Sequence, residues 1–414
     1  MEVEPEALFR HAEAIADRLI SFRHDLHRFP ELSFQEERTA GKIEEALSEA
    51  GIPTRRLGGT GVVADLPGSK GMEPCVALRA DIDALPIKEL TGLPFESSNP
   101  GVMHACGHDI HASCLLGAGL LLSRSGTESV PERKGGIRLI FQPGEEQVPG
   151  GVATLIEEGV LENPRPVAIL GEHIDTALPV GSFGFRPGPF MASVDDLSIV
   201  VRGRGGHAAH PDRLADPVIA SGALLVALQH LAGRMSPPSV PSVLSIGRVI
   251  ADGATNIVPD TVFLEGTFRT LSEEWREVAG TEIPRIAREI TAAYGCTAEV
   301  EVRRGYPSLA NDSALTNRAE QFAAALPWVE ATSEPSVTLG GEDFAYYARH
   351  IPGCFYHLGV WETSLGDAPE PLHSPRLRAS DRAIPLGAAT MAALALSVLE
   401  QATREPASKG GPDS

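Results

Sequence analysis

A run of alternating strands and helices breaks off near residue 190, gives way to a different pattern, and resumes after residue 305. Before the break, residues 6–29 and 35–51 read as helices joined at Pro30, with Gly51 ending the second. Short apolar strands follow at 61–66, 74–82, 136–142 and 166–171, with a helical stretch at 107–124 between them. Strands alternating with helices predict an α/β domain with a mostly parallel central sheet. After the break the order is strand 194–202, helix 213–232, strands 242–250 and 260–270, helix 272–294 and strand 297–303. This βαββαβ order is the split βαβ arrangement and makes one small α+β sheet with two helices. Pro187, Gly188 and Pro189 stand at its start as a hinge would. Beyond 305, strand 354–358 and an apolar C-terminal helix restore the first pattern. The expected organisation is a first domain, 1–189 and 304–402, interrupted by an insertion at 190–303, with a flexible polar tail at 403–414.

A chain of 414 residues is too long for one ordinary core, which agrees with two domains. A net charge of −20 disfavours nonspecific binding to nucleic acid or to an anionic membrane. Five cysteines, an odd number in a long chain, read as reduced thiols. The acidic, helix-patterned N-terminus lacks the features of a secretory signal, so the expected compartment is cytoplasmic. Residues 383–399 carry no charge, but they are Ala-rich, contain Pro385 and Gly387, and sit at the lower length limit for a membrane span. They are read as a buried helix.

Chemistry concentrates in a few places. His104-Ala-Cys106-Gly-His108-Asp109-Ile-His111 puts three histidines, a cysteine and an aspartate into eight residues at a helix start. Cys and His are typical ligands of borderline-soft divalent ions; the competing reading is a helix terminus with surface histidines. Gln142-Pro143-Gly144-Glu145-Glu146 follows the apolar strand IRLIF, and functional groups of α/β sheets gather at the carboxyl ends of strands. One carboxylate of such a pair can bind an ion while its neighbour takes a proton from water, although alone the pair reads as a solvated turn. Glu172-His173 follows VAILG, and His373 lies in the loop PLHSP before the last helix. Each histidine alone is an ordinary structural or loop residue. Asp81 and Asp83 end a further strand. The pieces meet only if 190–303 is an insertion that returns His373 to the first sheet. Cys106 as the nucleophile of a Cys/His pair would leave the surrounding His and Glu residues without a function. A G-x-S-x-G nucleophile elbow and a phosphate-binding loop are absent.

Taken together, HACGHDIH, RADIDALP, FQPGEE and GRGGHAAHP resemble the M20 metallopeptidase family, in the branch of the aminoacylases, hippurate hydrolases and auxin-conjugate amidohydrolases. The resemblance runs from HRFPELSFQE at 27–36 to PLHSP at 371–375. It implies a zinc-peptidase-like α/β catalytic domain and an inserted lid that often mediates dimers, hence a homodimer or homotetramer. It implies two divalent ions per subunit, zinc or manganese first and cobalt or nickel next. Their ligands by motif are Cys106, His108, Glu146, His173 and His373. Glu145 matches the general base, and Asp83 an aspartate that orients the site. In the insertion, His207 resembles the histidine that stabilises the oxyanion, in some members from the partner subunit. Asn256 and Arg269 resemble contacts to the substrate's free carboxylate; a turn residue and a strand-face charge are the plain alternatives. Glu172 stands where the branch often has an apolar residue, so it either alters the metal's electrostatics or points away. His104 and His111 are read as structural, His24 and His27 as outside the site, and His210 is given no role. The implied reaction is hydrolysis of a small N-acyl amino acid to a carboxylate and a free amino acid. A dipeptidase or carboxypeptidase of the same family, and a noncatalytic metal-stabilised binding protein, are the rivals; the spare carboxylate of Glu145 argues against the last.

Overall fold

A computed structural model describes residues 4–126, 130, 132–366 and 368–404. The chain divides into two compact units. One holds the described residues up to Gly188, then Asn311–Ser336, then those from Tyr346 on; the other holds Pro189–Ala310 and Val337–Ala345.

The first unit is built on an eight-stranded sheet in the order Thr54–Leu57, Gly61–Leu66, Gly136–Gln142, Cys75–Asp81, Ala168–Pro179, Gly353–Trp361, Ser182–Phe185, Ala331–Ser333. Its four middle strands, from Gly136–Gln142 to Gly353–Trp361, are parallel. Antiparallel pairs join the strands on either side of them. Cys75–Asp81 and Gly136–Gln142 are buried at every position, as parallel strands covered on both faces must be. The helix His108–Leu122 is likewise buried all round, which its apolar run from Cys114 to Leu122 demands. Gly117 and Gly119 let it approach closely: a Cβ there would stand 2.6 Å from Ala388 and 2.5 Å from Leu139.

The apolar C-terminal run forms the helix Ala383–Arg404, long and apolar enough to cross a membrane, but with 72% of that apolar window buried inside the unit. It packs on His108–Leu122 and on Pro5–Ala14. Its last turn takes in Thr403 and Arg404, so the expected flexible tail at 403–414 begins too early; residues 405–414 lie outside the described residues. The helix expected at 6–29 is two, Pro5–Ala14 and Ala16–Arg28, with a break at Ile15 that no glycine or proline announces. The strand expected to end at 171 runs on to Pro179. Its polar second half, EHIDT, hides the continuation from an apolar-run reading.

The second unit has the order Ser193–Arg202, Pro217–His230, Ser242–Ala251, Thr261–Thr270, Glu273–Ala292, Thr297–Arg304. Its four-stranded sheet is antiparallel throughout, with Ser242–Ala251 at one edge and Thr297–Arg304 at the other. Alternate residues Leu197, Ile199 and Val201 join Leu224, Leu228 and Ile283 in a separate core. The first helix starts at 217 rather than 213 because Asp216 caps it, accepting the Val218 and Ile219 N–H groups, and Pro217 fits the first turn. This unit is wider than residues 190–303. Val337–Ala345 joins it through the Thr338 N–H on the Phe190 carbonyl, 3.0 Å, and the Ala192 N–H on the Thr338 carbonyl, 3.1 Å.

Candidate metal centre and active site

Register explains why chemistry gathers at one edge of the large sheet. Asp81 pairs with Gln142, and Arg79 pairs with Gly171, which sets Asp81 level with His173; His173 pairs in turn with His357. Asp81 and Gln142 are the last residues of their strands, while His173 and His357 lie midway along theirs, which run on past the row. Asp83, Glu145 and Glu146 stand one turn beyond it. The helix His108–Leu122 starts here through Gly107, whose φ of 84° is left-handed. A Cβ on Gly107 would also stand 2.3 Å from Ile174, so conformation and space both call for glycine. The loop bearing His373 is tied down by its own N–H on the Ala105 carbonyl, 2.8 Å, next to Cys106.

One donor atom each from Cys106, His108 and His173 lies within 4.8 Å of the others. The same holds for Cys106, Glu146 and His373, and for His108, Glu145 and Glu146. Cys106 Sγ is 3.4 Å from His173 Nε2, and Glu146 Oε1 is 3.6 Å from His373 Nε2 and 3.8 Å from His108 Nε2. Two donor triads therefore share Cys106. All five residues expected as ligands, together with Glu145, are in one cluster.

Hydrogen bonds decide which ring nitrogens are free. His108 Nδ1 donates to Asp83 Oδ1, 3.1 Å, and His173 Nδ1 donates to the Ile174 carbonyl, 2.7 Å. Both Nε2 atoms are thereby turned into the cluster: that of His173 faces Cys106 Sγ at 3.4 Å, and that of His108 is the one from which a cation would have to displace a proton. His108 Nε2 and Glu146 Oε1 are buried without a hydrogen-bond partner among the described residues. Buried polar atoms left so are expensive unless a ligand or ion completes them. A thiol, imidazoles and carboxylates are also the donor set that intermediate divalent cations take. The residues present therefore fit a metal.

Charge points the same way. Burial, then Glu146, Glu145 and Asp81, hold the Cys106 thiol well above its ordinary range. That is the reverse of the electropositive setting that activates a cysteine nucleophile. Burial would lower His108, but Asp81, the hydrogen bond to Asp83 and Glu146 outweigh it and raise it to about 10. Burial, with His111 and His108 nearby, keeps His173 well below its ordinary value and neutral.

Further residues support the cluster, and two of them, Ser33 and Arg79, were given no role from the sequence. His111 uses both nitrogens on the protein: Nδ1 donates to Asp81 Oδ1, 2.6 Å, and Nε2 accepts the Ile174 N–H, 2.8 Å. Asp81 is gripped from below by Arg79, 2.8 Å. Asp83 Oδ2 accepts the Ser33 hydroxyl at 2.6 Å and the Glu146 N–H at 2.9 Å, so one carboxylate aligns His108 and the Glu145-Glu146 loop together. Glu172 points away from the cluster, as its neighbour His173 on the same strand requires. It lies under the C-terminal helix, accepts the Tyr356 hydroxyl at 3.1 Å, and is pushed up to about 7 by burial. His27 is outside the cluster but bonds Asp109 Oδ2, 2.9 Å, beside Arg23. His104 is buried, which lowers it to about 4.

His207, Asn256 and Arg269 belong to the second unit. His207 is exposed, on a short strand paired with Ile257–Val258. Its Nδ1 accepts the Ala209 N–H, 3.1 Å, which makes Nε2 the donor of the neutral ring. Asn256 is exposed, and its carbonyl accepts the Ala208 N–H at 3.0 Å. Arg269 donates from Nη1 to the Leu339 carbonyl, 2.8 Å.

Residues 77–397 match the model of Peptidase family M20/M25/M40. The chain belongs to this family. As a member it is a metal-dependent amide hydrolase. Among curated relatives, an N-acetylcysteine deacetylase of Bacillus subtilis is 40% identical, covering 94% of this chain and 98% of the relative. Thermostable carboxypeptidase 1 of Saccharolobus solfataricus is 36% identical, covering 94% of this chain and 98% of the relative. Among solved structures, a Bacillus subtilis protein described as a dinuclear metal binding peptidase from the M20 family superposes with a TM-score of 0.80. It is 39% identical, over 94% of this chain and 99% of that one.

Proposed function

We propose that this M20 family member hydrolyses the amide bond of small N-acyl amino acids, releasing a carboxylate and a free amino acid, at a two-metal centre. The observation that carries this reading is the pair of donor triads sharing Cys106, with Glu145 beside them as a carboxylate that a purely structural site would not need. Cys106, His108, Glu146, His173 and His373 are the proposed ligands. When bound, two divalent cations would polarise the amide carbonyl and lower the pKa of water; zinc or manganese comes first and cobalt or nickel next, as the family resemblance implies.

Glu145 takes the proton from the attacking water and returns it to the leaving amine. Asp83 holds His108 and the Glu146 backbone in register for this exchange. His207 of the second unit donates from Nε2 to the developing oxyanion, a role supported by the engagement of its Nδ1. Arg269 and Asn256 bind the free carboxylate of the amino acid. The second unit acts as the lid and as the surface for a homodimer or homotetramer, supported by exposed Val218, Ile219 and Val226 on its first helix. Five buried, unpaired cysteines support a cytoplasmic setting.

The carboxypeptidase relative favours a second reading, release of amino acids from peptides. A panel of hippurate, N-acetyl amino acids, indoleacetyl amino acids and dipeptides, each with Zn²⁺, Mn²⁺ or Co²⁺, separates the two. Turnover of acylated amino acids over dipeptides is expected. Efficient cleavage of dipeptides with none of the acylated substrates would overturn the amidohydrolase reading.

A further inference from the structure

The roles assigned so far leave the segment 33–36 with one contact, Ser33 on Asp83. Glu36 is fully buried three residues on, and its carboxylate has two partners with clear direction. Oε1 accepts the Gly144 N–H at 2.9 Å, and Oε2 accepts the Thr60 hydroxyl at 2.6 Å. Glu36 is the N-cap of the helix Glu37–Glu49, yet its side chain caps nothing there. A carboxylate at that position ordinarily serves its own helix; this one turns to a loop 108 residues away.

That loop is the one bearing Glu145 and Glu146. Gly144 precedes them with a left-handed φ of 65°, and Phe34 lies 2.5 Å from where its Cβ would be. The Gly144 carbonyl accepts the Gly151 N–H, 3.1 Å, which closes the loop from the other side. Ser33 reaches the same loop through Asp83 Oδ2 and the Glu146 N–H. Ser33, Phe34 and Glu36 thus hold it on both flanks. Burying a carboxylate carries a large desolvation cost, and an apolar side chain would fill this space without it. The acceptor at Gly144 is what a carboxylate adds.

We propose that Glu36 is a positioning residue for the reaction: through the Gly144 amide it holds the Glu145 carboxylate where the proton is taken and returned. This rests on Glu145 as the base. Glu36→Gln can keep both contacts, since its amide oxygen can accept from Gly144 and its NH₂ can donate to the Thr60 hydroxyl. Glu36→Asp keeps the charge but is one methylene too short, and Glu36→Ala removes both acceptors.

The experiment combines kcat and KM across pH with amide hydrogen exchange of the peptide covering 143–147, on the full chain. Loss of a hydrogen bond to a charged group should lower kcat about 10- to 100-fold in the Asp and Ala variants, with KM within about threefold, while Gln stays within about threefold in both. The acid limb of the kcat profile should move in Asp and Ala but not in Gln. Exchange of the 143–147 amides should quicken by about tenfold or more in the same two variants. Wild-type kcat in Glu36→Asp or Glu36→Ala overturns the proposal, whether or not exchange quickens. A Gln variant as impaired as Ala overturns it too, because charge rather than position would then be at stake. Where Ala does not fold, Asp carries the test. The exchange comparison needs no substrate, so it stands apart from the acylamino acid reading.

Discussion

The candidate residues of the two units differ in how much the protein has already settled about them. In the first unit Cys106, His108 and Glu145 are buried, Glu146 and His173 are only partly exposed, and of the proposed ligands His373 alone is exposed. The inward-facing ring nitrogens of His108 and His173 are aimed into the cluster because their opposite nitrogens are held by named acceptors. In the second unit His207 and Asn256 are exposed, and Arg269 keeps one guanidinium nitrogen on a backbone carbonyl. A buried group of acids and a thiol is unfavourable until cations join it, so the first set is organised for metal before any substrate arrives. The second set has no such demand on it. Loss of a proposed ligand or its support in the first should therefore disturb metal or folding, whereas loss of Glu145, or of a residue of the second, should change turnover alone.

The largest expected effect breaks the comparison if it fails. Glu145→Gln should lower kcat about 10²- to 10⁴-fold with unchanged metal content by elemental analysis; near wild-type turnover would remove the base assignment. Next, His207→Ala should lower kcat about 10²-fold with metal content also unchanged. A fall in bound metal instead would mean that the second unit takes part in holding it. Third, Asp83→Asn should weaken metal binding about 10- to 100-fold in a chelator competition titration. An amide at that place cannot accept from His108, Ser33 and Glu146 together.

The smallest effect concerns support behind the site. Burial would lower His27, but Asp109 and Glu89 outweigh it and raise it to about 8 from an ordinary 6.5. Its proton therefore stabilises the fold fully below pH 6.5, and the contribution is lost as pH rises through 8. Wild type should lose about 2 kcal/mol relative to His27→Gln across that window, read from thermal midpoints against pH. Parallel pH curves for the two proteins would show that His27 does not carry a native proton.

What could be read in advance follows from what is local. Apolar runs located five of the eight strands of the large sheet and missed the short Thr54–Leu57, Ser182–Phe185 and Ala331–Ser333, and the residues just past those runs marked its chemical side. The βαββαβ order of the second unit was legible for the same reason, since periodicity and caps such as Ser272 act within a few residues. Glu172 and His173 show where that stops. Their opposite orientations follow from strand alternation, but only once the strand is known to continue to Pro179, and EHIDT gives no apolar signal that it does.

By itself, then, the sequence disclosed the βαββαβ order of the second unit and the side chains whose chemistry suits a metal. Only the tertiary structure decided how they work together. It separated His108, whose Nε2 has no hydrogen-bond partner among the described residues, from His111, three residues on, which uses both nitrogens on the protein. It turned Glu172 away and brought Ser33 and Glu36 to loops far along the chain. A ring nitrogen's role is set by whatever stands opposite it, and those partners come from segments tens to hundreds of residues apart, joined only by the register of the sheet.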